Sequence, residues 1–242
     1  IQSALRNKTY ALINIFGLSI GLAVCIVIMQ YVRFEQSYDR FHARAENIYR
    51  IILTYPSADG SIDEDAANVA PLAEVLLNEY PEVKSVVRIT PEYSKVVFSH
   101  GEKMTEVNKV YYADSTMFSI FGYKLLAGDP KTALREVDAV ALTRTTAEKY
   151  FGPMEAWKES PIGKLIVMNS RLTLRVTAIM EDLPVNTHFR PNALISFRTF
   201  IKLDDPTKEW GWNDFYTYVE LASGTDYRKF ESSIQSIIKK HK

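Results

Sequence analysis

An apolar run near the start of the chain constrains the fold more than any other feature. Residues 10–32 contain no Asp, Glu, Lys or Arg. About 23 residues, each rising about 1.5 Å, make a helix of about 35 Å, and the hydrocarbon layer of a membrane is about 30 Å thick. The run therefore predicts a transmembrane helix.

Two other interpretations fit the run less well. A secretory signal has a shorter apolar region followed by small residues at a cleavage site, whereas this run ends in the bulky Tyr31 and Val32. A buried core helix of this length would carry a polar stripe. The polar residues Asn14, Ser19 and Gln30 are too few and too scattered to form one.

The residues around and within the run predict its orientation and its packing. Arg6 and Lys8 precede it, and the segment that follows it, RFEQSYDR, mixes both signs of charge. The positive-inside rule then places the N-terminus in the cytoplasm and the rest of the chain outside. Gly17 and Gly21 have the G-x-x-x-G spacing that lets another membrane helix approach closely. The alternative is a chance pair, because glycine is common in membrane helices.

Apolar residues continue beyond the run at helical spacing. Phe34, Tyr38, Phe41, Ala45 and Ile48 follow one another at intervals of four, three, four and three residues. This spacing is typical of one face of a helix. Residues 1–47 are therefore predicted to form a cytoplasmic flank, the transmembrane helix and a stalk that extends it past the membrane surface.

The remaining residues, about 200 of the 242, have the composition of a globular domain, with 47% hydrophobic and 24% charged residues in the whole chain. Lys and Arg total 29, as do Asp and Glu, so no basic field favours nucleic acid. Cys25 is the single cysteine and lies within the apolar run, so disulfides are not expected to stabilise this domain. The chain starts without Met and stops at KKHK, and we expect both ends to be cuts in a longer polypeptide.

The first part of the exterior domain predicts a β-α-β unit. Residues 49–55 (YRIILTY) are rich in β-branched and aromatic residues and predict a strand. Asp63-Glu64-Asp65 then predicts the start of a helix that ends near Pro81, because acidic residues favour the N-terminal end of a helix. Residues 84–90 (KSVVRIT) predict the second strand.

The middle of the chain predicts many short strands, and the end returns to longer elements. Asn169-Ser170-Arg171 predicts a hairpin turn, and Thr145 with Glu148 has capping-box spacing for a helix over 143–151. Two strands over 192–197 and 215–221 and a helix over 226–240 follow, the helix with Phe230, Ile234 and Ile237 on one face. The predicted class is α+β: an α/β sandwich (β-α-β plus β-β-α) of residues 48–92 and 190–242, interrupted by a β-rich insertion of residues 93–189.

No motif for bond chemistry is present. Gly163-Lys164 is followed by Leu165 and has no glycine five residues earlier, which excludes a phosphate-binding loop. The four histidines are not spaced as metal ligands, and there is no G-x-S-x-G elbow. Trp210 and Trp212, in a polar-aromatic cluster, predict either a partner surface or a loop held onto the sandwich by two large side chains.

Five segments in order carry a family resemblance. They are RNKTYALINIFGLSIGLAVCI, FEQSYDRFH followed by NIYRI, ALTRTTAEKYFG, TLRVTAIMEDLPVNTHF, and YTYVEL. Together they resemble the permeases of the macrolide-exporter (MacB) and FtsX-like ABC transporter family. The resemblance extends over nearly the whole chain.

The resemblance implies a permease of the bacterial inner membrane with a periplasmic or other extracytoplasmic domain. That domain would consist of a porter-like α/β part and an inserted β-rich part. A cytoplasmic ABC ATPase would bind ATP and Mg, so this chain would hold no cofactor and would not be an enzyme. A second permease unit, as a homodimer or tandem half, and membrane lipid are the other partners implied.

In this interpretation the chain couples ATP hydrolysis mechanically to export at the outer face of the membrane. Phe34, Tyr38 and Phe41 would carry the coupling on the stalk, and the face of the last helix would be its returning partner. An alternative is the extracytoplasmic sensor domain of a membrane signalling protein, for which one span leading into an α/β domain is equally natural. A membrane-tethered enzyme is a third alternative, without any catalytic constellation to support it.

Overall fold

The computed structural model describes residues 8–38, 45–57 and 59–241. By their contacts these residues form two units. A helix unit comprises the described residues up to 38 together with Pro184–His188, and a sheet unit comprises the remaining described residues.

Helix α1, Lys8–Gln36, is the main element of the helix unit. The most apolar window of 18 residues within Thr9–Gln36 has a mean hydropathy of 2.6, and none of that window is buried in the structure. Because apolar side chains point outward all round the helix, it does not pack like the core helix of a soluble domain. The structure thus confirms the predicted helix, which is long and apolar enough to cross a membrane.

The stalk differs from the sequence prediction. α1 ends at Gln36, and the amides of Ser37 and Tyr38 close a turn on the carbonyls of Phe34 and Glu35. Ala45–Asn47 form a 3-10 turn, and Ile48 begins a strand. The prediction of a stalk helix that runs through Ile48 was therefore wrong, because Ile48 lies in a strand that pairs with another strand of the sheet. Phe41 lies outside the described residues.

Fourteen strands are present among the described residues of the sheet unit. They are β1 Ile48–Arg50, β2 Leu53–Pro56, β3 Ile62–Asp65, β4 Ala67–Val69, β5 Val83–Pro91, β6 Val97–His100, β7 Lys103–Glu106, β8 Val110–Ala113, β9 Leu125–Ala127, β10 Ala139–Thr143, β11 Leu165–Met168, β12 Leu172–Met180, β13 Ala193–Ser196 and β14 Asn213–Leu221. Six helices accompany them: α2 Leu72–Glu79, α3 Met117–Phe121, α4 Arg144–Phe151, α5 Phe197–Leu203, α6 Tyr227–Ile234 and α7 Ile237–His241.

Twelve of these strands form one mixed sheet. Its order is β1-β14-β5-β8-β13-β10-β12-β11-β6-β7, with β4 also paired to β14 and β9 to β12. The pairs β10–β12 and β8–β13 are parallel, and the other pairs are antiparallel. β2 and β3 form a separate hairpin. The fold is α+β, as predicted.

The central strands are buried on both faces because their side chains alternate between two hydrophobic clusters. In β10, Val140 and Leu142 lie in the first cluster, and Ala141 lies in the second. In β13, Ile195 lies in the first cluster and Leu194 lies in the second. Successive residues of a strand point to opposite faces, so apolar residues at every position produce a strand covered on both sides.

A third cluster lies where α2, α6 and α7 pack on the strands at one end of the sheet. It includes Leu76 from α2, Val219 from β14, Phe230 from α6 and Ile237 from α7, all of them buried. The side-chain carboxylate of Asp226 caps α6 by accepting hydrogen bonds from the amides of residues 228 and 229. The predicted single helix over 226–240 is thus two shorter helices.

Two local predictions were wrong. Residues 63–65 belong to the β2–β3 hairpin, in which Asp65 pairs with Leu53, so the acidic run does not start a helix. The N-cap of α4 is Thr143, whose hydroxyl accepts a hydrogen bond from the amide of Thr146, so the cap lies two residues before Thr145. Glu148 forms an ion pair with Arg144 at 2.9 Å instead of closing a capping box.

Other elements match the sequence prediction. The strand predicted over 84–90 is β5, and β11 and β12 form the predicted antiparallel hairpin. At its turn, Asn169 and Ser170 have φ of 50° and 57°, the left-handed region that hairpin turns use. The sheet runs through strands from both predicted subdomains, and the division into residues 48–92 with 190–242 and residues 93–189 stays a prediction.

Candidate functional site

The sequence-predicted site residues other than Phe41 lie in four different parts of the structure. The first is the face of α1 that carries Gly17 and Gly21. A Cβ atom added at either glycine would meet no atom within 4 Å. Nothing in the described part of the chain therefore requires glycine at these two positions, and the face is open to a helix from elsewhere. Its role in helix packing stays a prediction.

The second part is the C-terminal end of α1, where Phe34 and Tyr38 lie. The ring of Phe34 lies edge-on to the ring of Tyr38, with 5.6 Å between centroids. Tyr38 in turn contacts His188 with 5.2 Å between the ring centroids. The side-chain amide of Asn186 donates hydrogen bonds to the carbonyl oxygen and the hydroxyl oxygen of Ser37, at 3.1 Å and 2.8 Å. We name residues 184–188 the exit loop.

Sequence reasoning missed the exit loop, although its residues lie in a segment that carries the family resemblance. Asn186 is separated from Ser37 by 149 positions, and no periodicity or local motif connects the two. The signal available was the polar Asn-Thr-His run directly after Pro184 and Val185, between two strongly apolar strands. Such a run between strands predicts a loop but not its contact.

The last helices form the third part. Phe230 and Ile237 are 6% and 3% exposed, and Ile234 packs partly buried against the same cluster. Tyr80 contacts Phe230 with 5.9 Å between ring centroids. These residues belong to the core of the sheet unit, whereas Phe34 and Tyr38 belong to the helix unit. Their predicted role in coupling is untested, and their packing role is clear.

The two tryptophans are the fourth part, and they pack on different clusters. Trp210 stacks on His241 with 4.6 Å between ring centroids and 6° between ring planes. Trp212 lies 5.5 Å from Phe215 between centroids, and its indole N–H donates to Asp214. Both indoles are half-buried. This packing matches the interpretation in which two large side chains hold a loop onto the domain, and a partner surface stays a prediction.

A buried ion pair fastens the strands next to this region. Arg88 donates from Nε and Nη2 to the two carboxylate oxygens of Asp114, each at 2.9 Å. Its Nη1 donates to the carbonyl of Ala70 at 3.2 Å, and the guanidinium lies 4.3 Å from the ring centroid of Phe197. A bidentate, stacked arrangement of this kind is specific to arginine.

The described residues show no arrangement suited to bond chemistry. Within them, no group of three or more His, Cys, Asp or Glu side chains could hold a metal ion. A cleft of about 260 Å³ is lined by Phe151, Ala156, Trp157, Lys158, Glu159 and Lys164. Burial raises the pKa of Tyr150 to about 12, which keeps its phenol neutral, and the phenol donates to the carbonyl of Thr105.

Comparison with known proteins places this geometry in a family. A family model described as the MacB-like periplasmic core domain matches residues 11–237. None of the curated proteins matches the chain.

Three solved structures share the fold. A domain of a protein described as a permease, from Porphyromonas gingivalis, has a TM-score of 0.70 at 20% identity and covers 83% of this chain and 84% of its own. The periplasmic region of MacB from Actinobacillus actinomycetemcomitans has a TM-score of 0.58 at 17% identity, with coverage of 83% and 86%. The extracellular domain of the noncanonic ABC-type transporter YknZ from Gram-positive bacteria has a TM-score of 0.55 at 16% identity, with coverage of 81% and 96%.

Proposed function

The chain belongs to the family of MacB-like periplasmic core domains, and we propose that it transmits ATP-driven movement across the membrane to an extracytoplasmic domain. In this proposal α1 crosses the bacterial inner membrane with its N-terminus in the cytoplasm. A cytoplasmic ABC ATPase binds ATP and Mg and supplies the energy. The sheet unit then acts mechanically on an exported substrate at the outer face of the membrane.

One observation carries the proposal. The family match runs without interruption from residue 11, inside the apolar helix, to residue 237, in the last helix. The helix and the domain are therefore parts of one inherited unit. A transmembrane element that is continuous with an exterior domain is well placed to transmit movement to it.

The packing of α1 supports a second helical partner. Gly17 and Gly21 lie one turn apart on an open face, so another helix could approach the backbone closely there. We propose that this partner is a span of a second permease unit, either a second copy or a tandem half. Gly21→Leu should then weaken the association, whereas Ala23→Leu, about 200° away around the helix, should not.

The test of the proposal is affinity purification of the full-length protein from native membranes, followed by mass spectrometry of what remains bound. The proposal predicts an ABC ATPase whose hydrolysis rate depends on this subunit. Gly21→Leu should reduce that dependence, with Ala23→Leu as the matched control. A histidine kinase or receptor module attached to the chain, without any ATPase, would contradict the proposal and indicate a sensor domain.

A further inference from the structure

The exit loop belongs to the helix unit by its contacts, although its chain neighbours belong to the sheet unit. The described residues from 45 to 183 and from 189 to 241 fall in the sheet unit, and the five residues 184–188 fall with α1. By sequence the loop connects β12, which ends at Met180, to β13, which begins at Ala193. The loop therefore contacts α1 and is covalently continuous with two strands of the large sheet.

The contact between the loop and the helix has a specific chemical requirement. The last carbonyl groups of a helix lack partners within the helix. The hydroxyl of Ser37 donates to the carbonyl of Phe34 at 2.6 Å, so the hydroxyl oxygen can only accept from Asn186. The backbone carbonyl of Ser37 also accepts from Asn186. Both bonds need an N–H donor on residue 186. An aspartate of the same shape cannot supply one, and its negative charge is unfavourable near a helix C-terminus.

Both ends of the loop are fixed inside the sheet unit, which leaves the loop little slack. Before it, the carboxylate of Asp182 accepts from the hydroxyl of Thr145 at 2.9 Å. After it, the ring of Phe189 lies 4.6 Å from that of Tyr111 between centroids, and the carbonyl of Phe189 accepts from the hydroxyl of Tyr123 at 3.2 Å. A displacement of the loop must therefore pull on these anchors and on the strands beside them.

The strands concerned are at the middle of the sheet. β12 and β13 flank β10 on its two sides, so the loop ends on both neighbours of one central strand. β10 and β13 are buried throughout, and β12 is buried over residues 178–180, at the end next to the loop. Packed interiors transmit displacement instead of absorbing it.

We propose that Asn186 and His188 are positioning residues for the coupling. They fasten the exit loop to the end of α1, so that movement of the helix reaches β12 and β13 directly and not only through residues 39–47. This inference rests on the proposed function for the source of the movement. The fastening itself is independent of that function and can be measured alone.

The first experiment is hydrogen exchange by mass spectrometry on the full-length protein in lipid nanodiscs, comparing Asn186→Asp with Asn192→Asp. Asn192 is the matched control, because it lies in the same connection but its side chain donates to the carbonyl of Asn108 at 2.8 Å. Loss of two hydrogen bonds should speed exchange of amides 35–38 and 185–188 by about tenfold in Asn186→Asp. Asn192→Asp should leave amides 35–38 unchanged. Equal effects of the two variants, or no effect of Asn186→Asp on amides 35–38, would overturn the fastening.

The second experiment separates this inference from the proposed function. The complex with its ATPase is compared in ADP and in ATP with vanadate, for the wild type, for Asn186→Asp, and for Ser37→Cys/Asn186→Cys joined by a short bifunctional thiol reagent. Cys25→Ser removes the single cysteine of this chain, and any cysteine elsewhere in the full-length protein or in the ATPase is replaced by serine as well. The measured quantity is the difference in amide exchange of β12 and β13 between the two nucleotide states. This difference should be at least threefold smaller in Asn186→Asp than in the wild type, and it should persist in the cross-linked protein. A full response in Asn186→Asp would overturn the inference and leave the proposed function standing, whereas no response in the wild type would overturn both.

Discussion

Removal of Asp114 should destabilise the sheet unit far more than removal of a comparable surface charge. The side chains of Arg88 and Asp114 are 11% and 21% exposed, so the pair is largely withdrawn from water. Asp114→Ala leaves the guanidinium of Arg88 without the carboxylate that takes two of its donors. Breaking one side of a buried pair typically costs about 3–5 kcal/mol. The same substitution also leaves the amide of residue 88 without its partner at 2.8 Å.

Lys202→Met is the matched control, because Lys202 and Asp138 form an ion pair of 2.8 Å whose side chains are 54% and 30% exposed. An exposed pair of this kind contributes about 0–1 kcal/mol. The assay is urea unfolding of the full-length protein in detergent, followed by tryptophan fluorescence. All three tryptophans of this chain lie in the sheet unit. Any tryptophan outside this chain is replaced by phenylalanine, so that the signal reports on the sheet unit.

The predicted difference between Asp114→Ala and Lys202→Met is at least 2 kcal/mol in the free energy of unfolding. The double variant Arg88→Met/Asp114→Ala should recover part of the loss, because it removes the uncompensated charge. Equal costs for Asp114→Ala and Lys202→Met would refute the reasoning, since the pair would then behave as a solvated surface pair.

Three further predictions use the same unfolding assay. Gly128 has φ of 95°, and an added Cβ would lie 2.5 Å from the carbonyl oxygen of Thr177, whereas Gly163 has φ of 87° and open space. Gly128→Ala should therefore cost about 3–5 kcal/mol and Gly163→Ala about 1–2, and equal costs would contradict the steric argument. Burial raises the pKa of Tyr150 to about 12, so its contribution is complete below pH about 10 and is lost as the pH rises to about 12. Tyr150→Phe should make the fall in urea midpoint over that range shallower, and an unchanged slope would count against a buried neutral phenol. Phe230→Ala should cost about 3–5 kcal/mol, and a cost below 1 would show that the residue is not part of the core.

The elements that the sequence predicted well are those whose signal is local. β5 and β12 are long runs of β-branched and apolar residues, and the β11–β12 turn carries the polar residues that positive φ favours. The apolar helix is equally local, because composition alone distinguishes it. For such elements the pattern of neighbouring residues indicates both the secondary structure and which side chains are buried.

The elements that the sequence did not predict depend on partners distant along the chain. Asp63 to Asp65 look like a helix start, but they form a strand because Leu53 to Pro56 lie beside them in a hairpin. α3 has only five residues, four of them buried, which gives no periodic pattern to recognise. The contact between Asn186 and Ser37 joins residues 149 positions apart, and a single sequence contains no record of that contact.

The central claim is that ATP used in the cytoplasm moves the extracytoplasmic sheet unit. The most direct test is hydrogen exchange by mass spectrometry on the wild-type full-length protein with its ATPase in nanodiscs, in ADP and in ATP with vanadate. The account predicts changed exchange in the exit loop and at the adjoining ends of β12 and β13, far from the nucleotide. Changes confined to the ATPase and to α1, with identical exchange throughout the sheet unit in both nucleotide states, would contradict it.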